Sequence, residues 1–125
     1  MSSIVKTKLS NDIKNNLVTI QSVFIQGMKH QNNDGNTYNS VTVQVQTIDK
    51  DGKQSIDTLA KMFAKYGYGS EYSRRAKTLL KNEFGFKCDY TNTYDIESYV
   101  KKSQFHKVKE YQDSIDEGYY TLTDY

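Results

Sequence analysis

The sequence predicts an α+β fold: a small antiparallel sheet, formed around a hairpin at about residues 17–48, packed by two or three helices. Three observations carry this. Val41-Thr-Val-Gln-Val-Gln-Thr-Ile48 alternates apolar and polar side chains, as a half-buried antiparallel strand does. The β-rich stretch from Leu17 to Met28 lies before it, across Asp34-Gly35, a turn dipeptide whose glycine accepts positive φ. Ile56, Leu59, Ala60, Phe63 and Ala64 then recur at helical spacing, and Tyr72, Ala76, Leu79 and Leu80 repeat the pattern.

Taken in order, Val5, Leu9 and Ile13 share one face of a helix that Asn15-Asn16 would end; a frayed arm is the alternative. The hairpin follows, then a second tight turn at Asp49-Lys-Asp-Gly52. The helix over 56–64 runs to Gly67, a suitable residue for the position just past its end. Ser70 can cap the next helix, and Gly85 would stop it. Phe86 to Tyr90 fits a short returning strand. Ile96, Tyr99, Val100, Val108, Tyr111 and Ile115 suggest a third helix, capped by Thr93 or Asp95 and broken near Ser103. The last eight residues read as a tail or a terminal strand.

A chain of 125 residues suits one domain over 1–125, with 1–12 and 118–125 as flexible ends. The hydrophobic fraction is 36%, and eleven tyrosines stand against five phenylalanines and no tryptophan, so a thin core edged by half-buried rings is expected. A single cysteine, Cys88, allows no internal disulfide and suits a reducing compartment. Neither a secretory apolar run nor a stretch approaching a membrane span is present, which points to a cytoplasmic protein without membrane contact. The absence of proline, with abundant Asn, Lys and Tyr, has the compositional flavour of a phage or other mobile element.

The net charge of +2 is unevenly spread. Residues 61–87 carry seven cations against two acids, and residues 88–125 carry four against eight. The middle therefore suits a polyanion or an internal pairing with the tail. Two helices joined by a glycine-containing turn resemble a helix-turn-helix in outline. On that basis a basic helix face within 61–87 contacts nucleic acid: Arg74, Arg75, Lys77 and Lys81 supply the main contacts, Lys65 meets a phosphate, and Tyr66 and Tyr68 stack on bases. The plainer alternative is a helical hairpin with a solvated charged face.

No catalytic motif appears, so a non-enzymatic binding protein without cofactor is expected. Cys88 and His106 are the one conceivable nucleophile–base pair, with Asp89 or Asp95 to orient the imidazole, yet nothing nearby activates the thiol. His30, His106 and Cys88 lack the paired spacing of a zinc site, and Asp49-Lys-Asp-Gly52 lacks the remaining ligands of a calcium loop. The alternative function is a protein-binding inhibitor or adaptor that blocks a host complex. Its surface would be the acidic, tyrosine-rich C-terminal segment: Asp113, Asp116, Glu117, Tyr119, Tyr120 and Tyr125.

Overall fold

The computed structural model describes residues 3–32, 34–67, 69–104, 106–114, 118–122 and 125, without the side chains of 102, 108 and 112. Its elements are β1 (Ser3–Lys6), α1 (Thr7–Lys14), β2 (Val18–Gln31), β3 (Thr37–Asp49), β4 (Gln54–Tyr66), α2 (Glu71–Phe84), β5 (Thr93–Val100), a 3-10 turn (Lys102–Gln104), α3 (His106–Asp113) and β6 (Tyr119–Leu122). The fold is α+β, and its strands form one six-stranded sheet in the order β5-β2-β3-β4-β1-β6. Only β5 runs parallel to its neighbour. The expected hairpin is present as β2 and β3, in the middle of this mixed sheet rather than as the whole of it.

Both hairpin turns use the same device. Asn32 Oδ1 accepts from the Asp34 and Asn36 N–H groups, and Asp49 Oδ1 accepts from those of Asp51 and Lys53. A glycine at positive φ, Gly35 or Gly52, completes each.

The expected helix over 56–64 is instead strand β4. Two register shifts against β3 explain its helical look. Val43 pairs with Ala60 and Gln44 with Thr58, which leaves Leu59 as an extra residue; a second extra residue lies between Met62 and Lys65. Each bulge inverts the in–out phase of a strand. Apolar residues thus fall three apart and then adjacent, an imitation of helical spacing. The first helix–turn–helix partner is therefore absent. A smaller shift at Ile20/Ser22 likewise blurs the alternation of β2.

Three other expectations change. Residues 93–100 form edge strand β5, not the start of a helix, and α3 is confined to His106–Asp113. On an outer strand with one buried residue, Val100, no in–out contrast marks the strand. Residues 86–90 carry no strand; the strand expected there begins at Thr93. Ser3–Lys6 is a strand between β4 and β6, where Val5 was expected to open a helix or lie in a frayed arm; Tyr119–Leu122 is the terminal strand, one of the two readings of the last eight residues, and pairs with β1.

One face of the sheet is covered by α1 and α2. Val23, Ile25, Val41, Val43, Val45, Leu59, Ala60 and Met62 meet Tyr72, Ala76, Leu79 and Leu80 of α2 there, with Leu9 and Ile13 of α1 at the margin. Tyr72 lies flat over Gly27, where an added Cβ would come within 2.3 Å of its ring. Gly85 ends α2 at φ 63°, with its N–H on the Lys81 carbonyl and the Phe86 N–H on that of Leu80. Ser70 makes no side-chain cap; its carbonyl accepts from the Ser73 and Arg74 N–H groups instead.

Candidate interaction surfaces

Helix α2 divides its cations. Arg75 points inward and is 1% exposed. Its Nη1 donates to the Asn39 carbonyl at 2.8 Å and to Asn39 Oδ1 at 3.0 Å, and its Nη2 donates to the carbonyls of Phe63 at 2.8 Å and Tyr125 at 3.2 Å. Burial draws its pKa down to about 10, still well above neutrality. Arg75 therefore leaves the set of surface contacts expected from the sequence: those carbonyls lie around the β4 bulge, and the guanidinium is spent on them.

Arg74, Lys77 and Lys81 remain outside. With Ser70, Ser73 and Thr78 they line a shallow groove of about 350 Å³. Arg74 Nε donates to Glu71 Oε1 at 2.9 Å, and a second guanidinium nitrogen reaches the same oxygen. These hydrogen bonds hold the Glu71 carboxyl below its usual range. Lys77 Nζ stands 3.9 Å from Asp95 Oδ2, which also accepts from Ser73 Oγ at 2.8 Å. Lys81 is exposed and makes no ion pair among the described residues. Lys65 is exposed on β4, and the Tyr66 ring meets Tyr38 edge-on at 6.0 Å. Tyr68 lies outside the described residues.

Among the described residues of the acidic, tyrosine-rich C-terminal segment, Asp113 does not lie beside α2. Asp113 is 3.9 Å from Lys109 within α3, and α3 meets the opposite face of the sheet. Glu71 and Asp95 are the carboxylates beside the basic groove. Tyr120 shares a hydrogen bond with Ser10 and accepts one from Lys14, Lys6 sits over the Tyr119 ring at 4.9 Å, and the Tyr125 carbonyl receives Arg75. Asp116 and Glu117 lie outside the described residues.

Helix α3 touches that second face through Tyr111. Its hydroxyl donates to the Val41 carbonyl and accepts from the Met62 N–H at 3.2 Å. Burial pushes its pKa up to about 12. Lys61 crosses the ring at 5.8 Å and donates to the Ser114 carbonyl at 2.8 Å.

Beyond α3 this face is open. The registers of β5, β2, β3 and β4 place Tyr94 and Ile96, Ser22, Phe24 and Gln26, Gln44 and Gln46, Ile56 and Thr58 together on it. None of these is ionisable except the tyrosine hydroxyl. Ile56 is 60% exposed, Ile96 59% and Tyr94 51%. Phe24 and Tyr94 stack at 5.5 Å with planes 17° apart. Gln26 donates to Gln44 at 3.2 Å, and Gln46 to Gln54 at 3.4 Å, so much of the amide polarity is spent sideways. Sequence reasoning missed this surface. Its signal was the apolar–acidic alternation of Tyr94-Asp-Ile-Glu97, obscured once Ile96 was given to a helix.

Elsewhere, Cys88 is half-buried, and burial raises its thiol pKa, the reverse of activation. No contact joins it to His106 among the described residues. Nor do any three His, Cys, Asp or Glu residues among them gather as a metal site. A second hollow of about 440 Å³, between α1 and β4, has mixed charge; its Lys8 and Asp12 pair at 3.1 Å. No helix among the described residues is long and apolar enough to cross a membrane. No protein-family model, curated protein or solved structure matches the chain.

Proposed function

We propose that this is a protein-binding module that presents the open face of its sheet to a partner protein. One observation carries the proposal: Tyr94, Ile96 and Ile56, each more than half exposed, share a patch beyond the Lys61–α3 contact, and the side chains that four adjacent strands place with them there, Ser22, Phe24, Gln26, Gln44, Gln46 and Thr58, are uncharged. The centre of a protein interface has this character, apolar and aromatic with charge excluded. A polyanion-binding surface needs the opposite. Such a module works by occupying a partner's surface, as an inhibitor or adaptor does, and needs no chemistry of its own.

Photo-crosslinking side chains test the assignment. One is placed at Ile56 on the open face, another at Lys81 on α2, in the cell type that expresses the protein. Protein adducts confined to position 56 are expected, and they should vanish in a Tyr94→Asp background. Adducts at position 56 that prove to be nucleic acid, or protein adducts that ignore Tyr94→Asp, overturn the proposal.

A second reading keeps nucleic acid as the partner and α2 as the surface. The groove lined by Arg74, Lys77, Lys81 and three hydroxyl side chains favours it, since cations and hydroxyls are the groups that contact phosphates. Nuclease-sensitive adducts at position 81 are its signature.

A further inference from the structure

We infer that the outer edge of β5 pairs antiparallel with β5 of a second copy, in a register centred on Ile96, to give a sheet continuous across two chains. Among the described residues β5 is the terminal strand, bonded only to β2. The Val23 N–H bonds the Asn92 carbonyl at 2.8 Å, which sets the phase of the parallel ladder. Tyr94, Ile96 and Ser98 turn their backbone groups toward β2. Asp95, Glu97 and Tyr99 turn theirs outward, as does the Thr93 carbonyl; the Thr93 N–H is already held by Asp89 at 3.0 Å.

A two-fold axis through Ile96, perpendicular to the sheet, uses this whole edge. Asp95 faces Glu97 of the copy as a hydrogen-bonded pair, and both exchange N–H and carbonyl. The Tyr99 N–H meets the Thr93 carbonyl, the one outward group of Thr93 that lacks a bond. On the open face Ile96 meets its own image, and Tyr94 lies beside Ser98. Centres at Asp95 or Glu97 set a carboxylate against itself, and centres at Tyr94 or Ser98 leave part of the edge unused. The facing acids of the Ile96 register are not bare: Glu97 pairs with Lys29 at 3.0 Å, and Asp95 lies beside Lys77 and Ser73. Tyr99, 56% exposed, adds apolar area on the helix-covered side.

Exposed apolar side chains on a free edge are what natural sheets usually avoid, since such an edge templates another strand. Here the edge is self-complementary. The axis also keeps both open faces on the same side, so the uncharged surface becomes twice as long. The pairing uses the edge of β5 and not its face, and it stands whether or not that face binds another protein.

Sedimentation equilibrium of the full chain, from micromolar to near-millimolar concentration, tests it. The wild type should show a monomer–dimer equilibrium. Glu97→Pro removes an outward N–H and leaves the bonds to β2 intact, a placement that edge strands tolerate. Ile96→Lys sets two ammonium groups against each other at the axis. Either variant should weaken the dimer by about tenfold or more while its circular dichroism stays native. Should the proline disturb the strand, Ile96→Lys alone decides. A wild type that stays monomeric throughout, even one whose edge accepts a strand from a different protein, overturns the inference. So does a dimer that Ile96→Lys leaves unchanged.

Discussion

Arg75 and Tyr111 close the same bulge from opposite faces of the sheet. Arg75 comes from α2 and takes the Asn39 and Phe63 carbonyls; Tyr111 comes from α3 and takes the Val41 carbonyl and the Met62 N–H. The extra residue in β4 breaks the ladder between Asn39 and Val41, and the backbone groups thereby left over are buried. Buried backbone groups must find partners, and two long side chains supply them.

Loss of either side chain should therefore destabilise the fold. Tyr111→Phe is expected to cost about 1–2 kcal/mol, and Arg75→Met, which strands several carbonyls, about 3 kcal/mol. Urea denaturation measures both. Because the two residues serve one bulge, the double variant should depart from additivity by about 0.5 kcal/mol or more. Strict additivity would show that they act independently.

Alkaline pH offers a second check on Tyr111. Its folded pKa of about 12 lies above the ordinary 10.0. The neutral phenol is thus favoured by folding: that stability is complete below pH 10 and fades as pH rises toward 12. Relative to Tyr111→Phe, the wild type should lose on the order of 3 kcal/mol across that window. Parallel thermal melts of the two proteins in this range report the difference. Arg75 titrates in the same range with the opposite sign and interacts with the Tyr111 charge, so the comparison reads the two groups together.

Gly27 should tolerate no side chain. Gly27→Ala drives a methyl into the Tyr72 ring, with an expected cost of about 1–3 kcal/mol. Tyr72→Leu in the same chain should recover part of that loss in a denaturation series, whereas a purely conformational effect at Gly27 would ignore residue 72.

The open face should behave unlike the core when made polar. Ile56→Gln should change stability by no more than about 0.5 kcal/mol. Met62→Gln, only six positions along the same strand but fully buried, should cost several times more. Equal losses would mean that Ile56 is covered in the isolated protein.

Polyanion affinity, if present, should trace to three side chains and not to Arg75. Retention on heparin or duplex DNA at low salt should fall with Lys77→Gln and Lys81→Gln, each lowering the salt slope by about one. Arg75→Met should leave the slope unchanged in whatever fraction stays folded.

Much of the architecture was legible in the residues. The clean alternation of Val41, Val43 and Val45 announced β3, the Asp–Gly pairs announced the turns, and the apolar set from Tyr72 to Leu80 with Gly85 announced α2. What escaped follows from two physical causes. Bulges at Leu59 and near Phe63 turned an alternating strand into a counterfeit helix. The edge position of β5 removed the contrast between buried and exposed residues that marks a strand. Arg75 escaped for a third reason: no periodicity distinguishes an arginine that bonds a bulge from one that faces water. The basic helix was found correctly as an element, but its strongest donor belonged to the interior.

The place of β1 has a consequence for how the chain acquires its shape. β2, β3 and β4 are sequential neighbours and can zip together as they leave the ribosome. β1 emerges before all of them, yet it pairs only with β4 and β6. It must wait for Ala60–Met62 of β4 to be made before its first partner is present, and for Tyr119–Leu122 before its second, and such distant pairings are the slow ones. During that interval Ile4 and Val5, both buried in the finished sheet, lack their strand partners. A strand made before β2, β3 and β4 is thus secured after them, and it is there that a chaperone would find this protein most in need of cover.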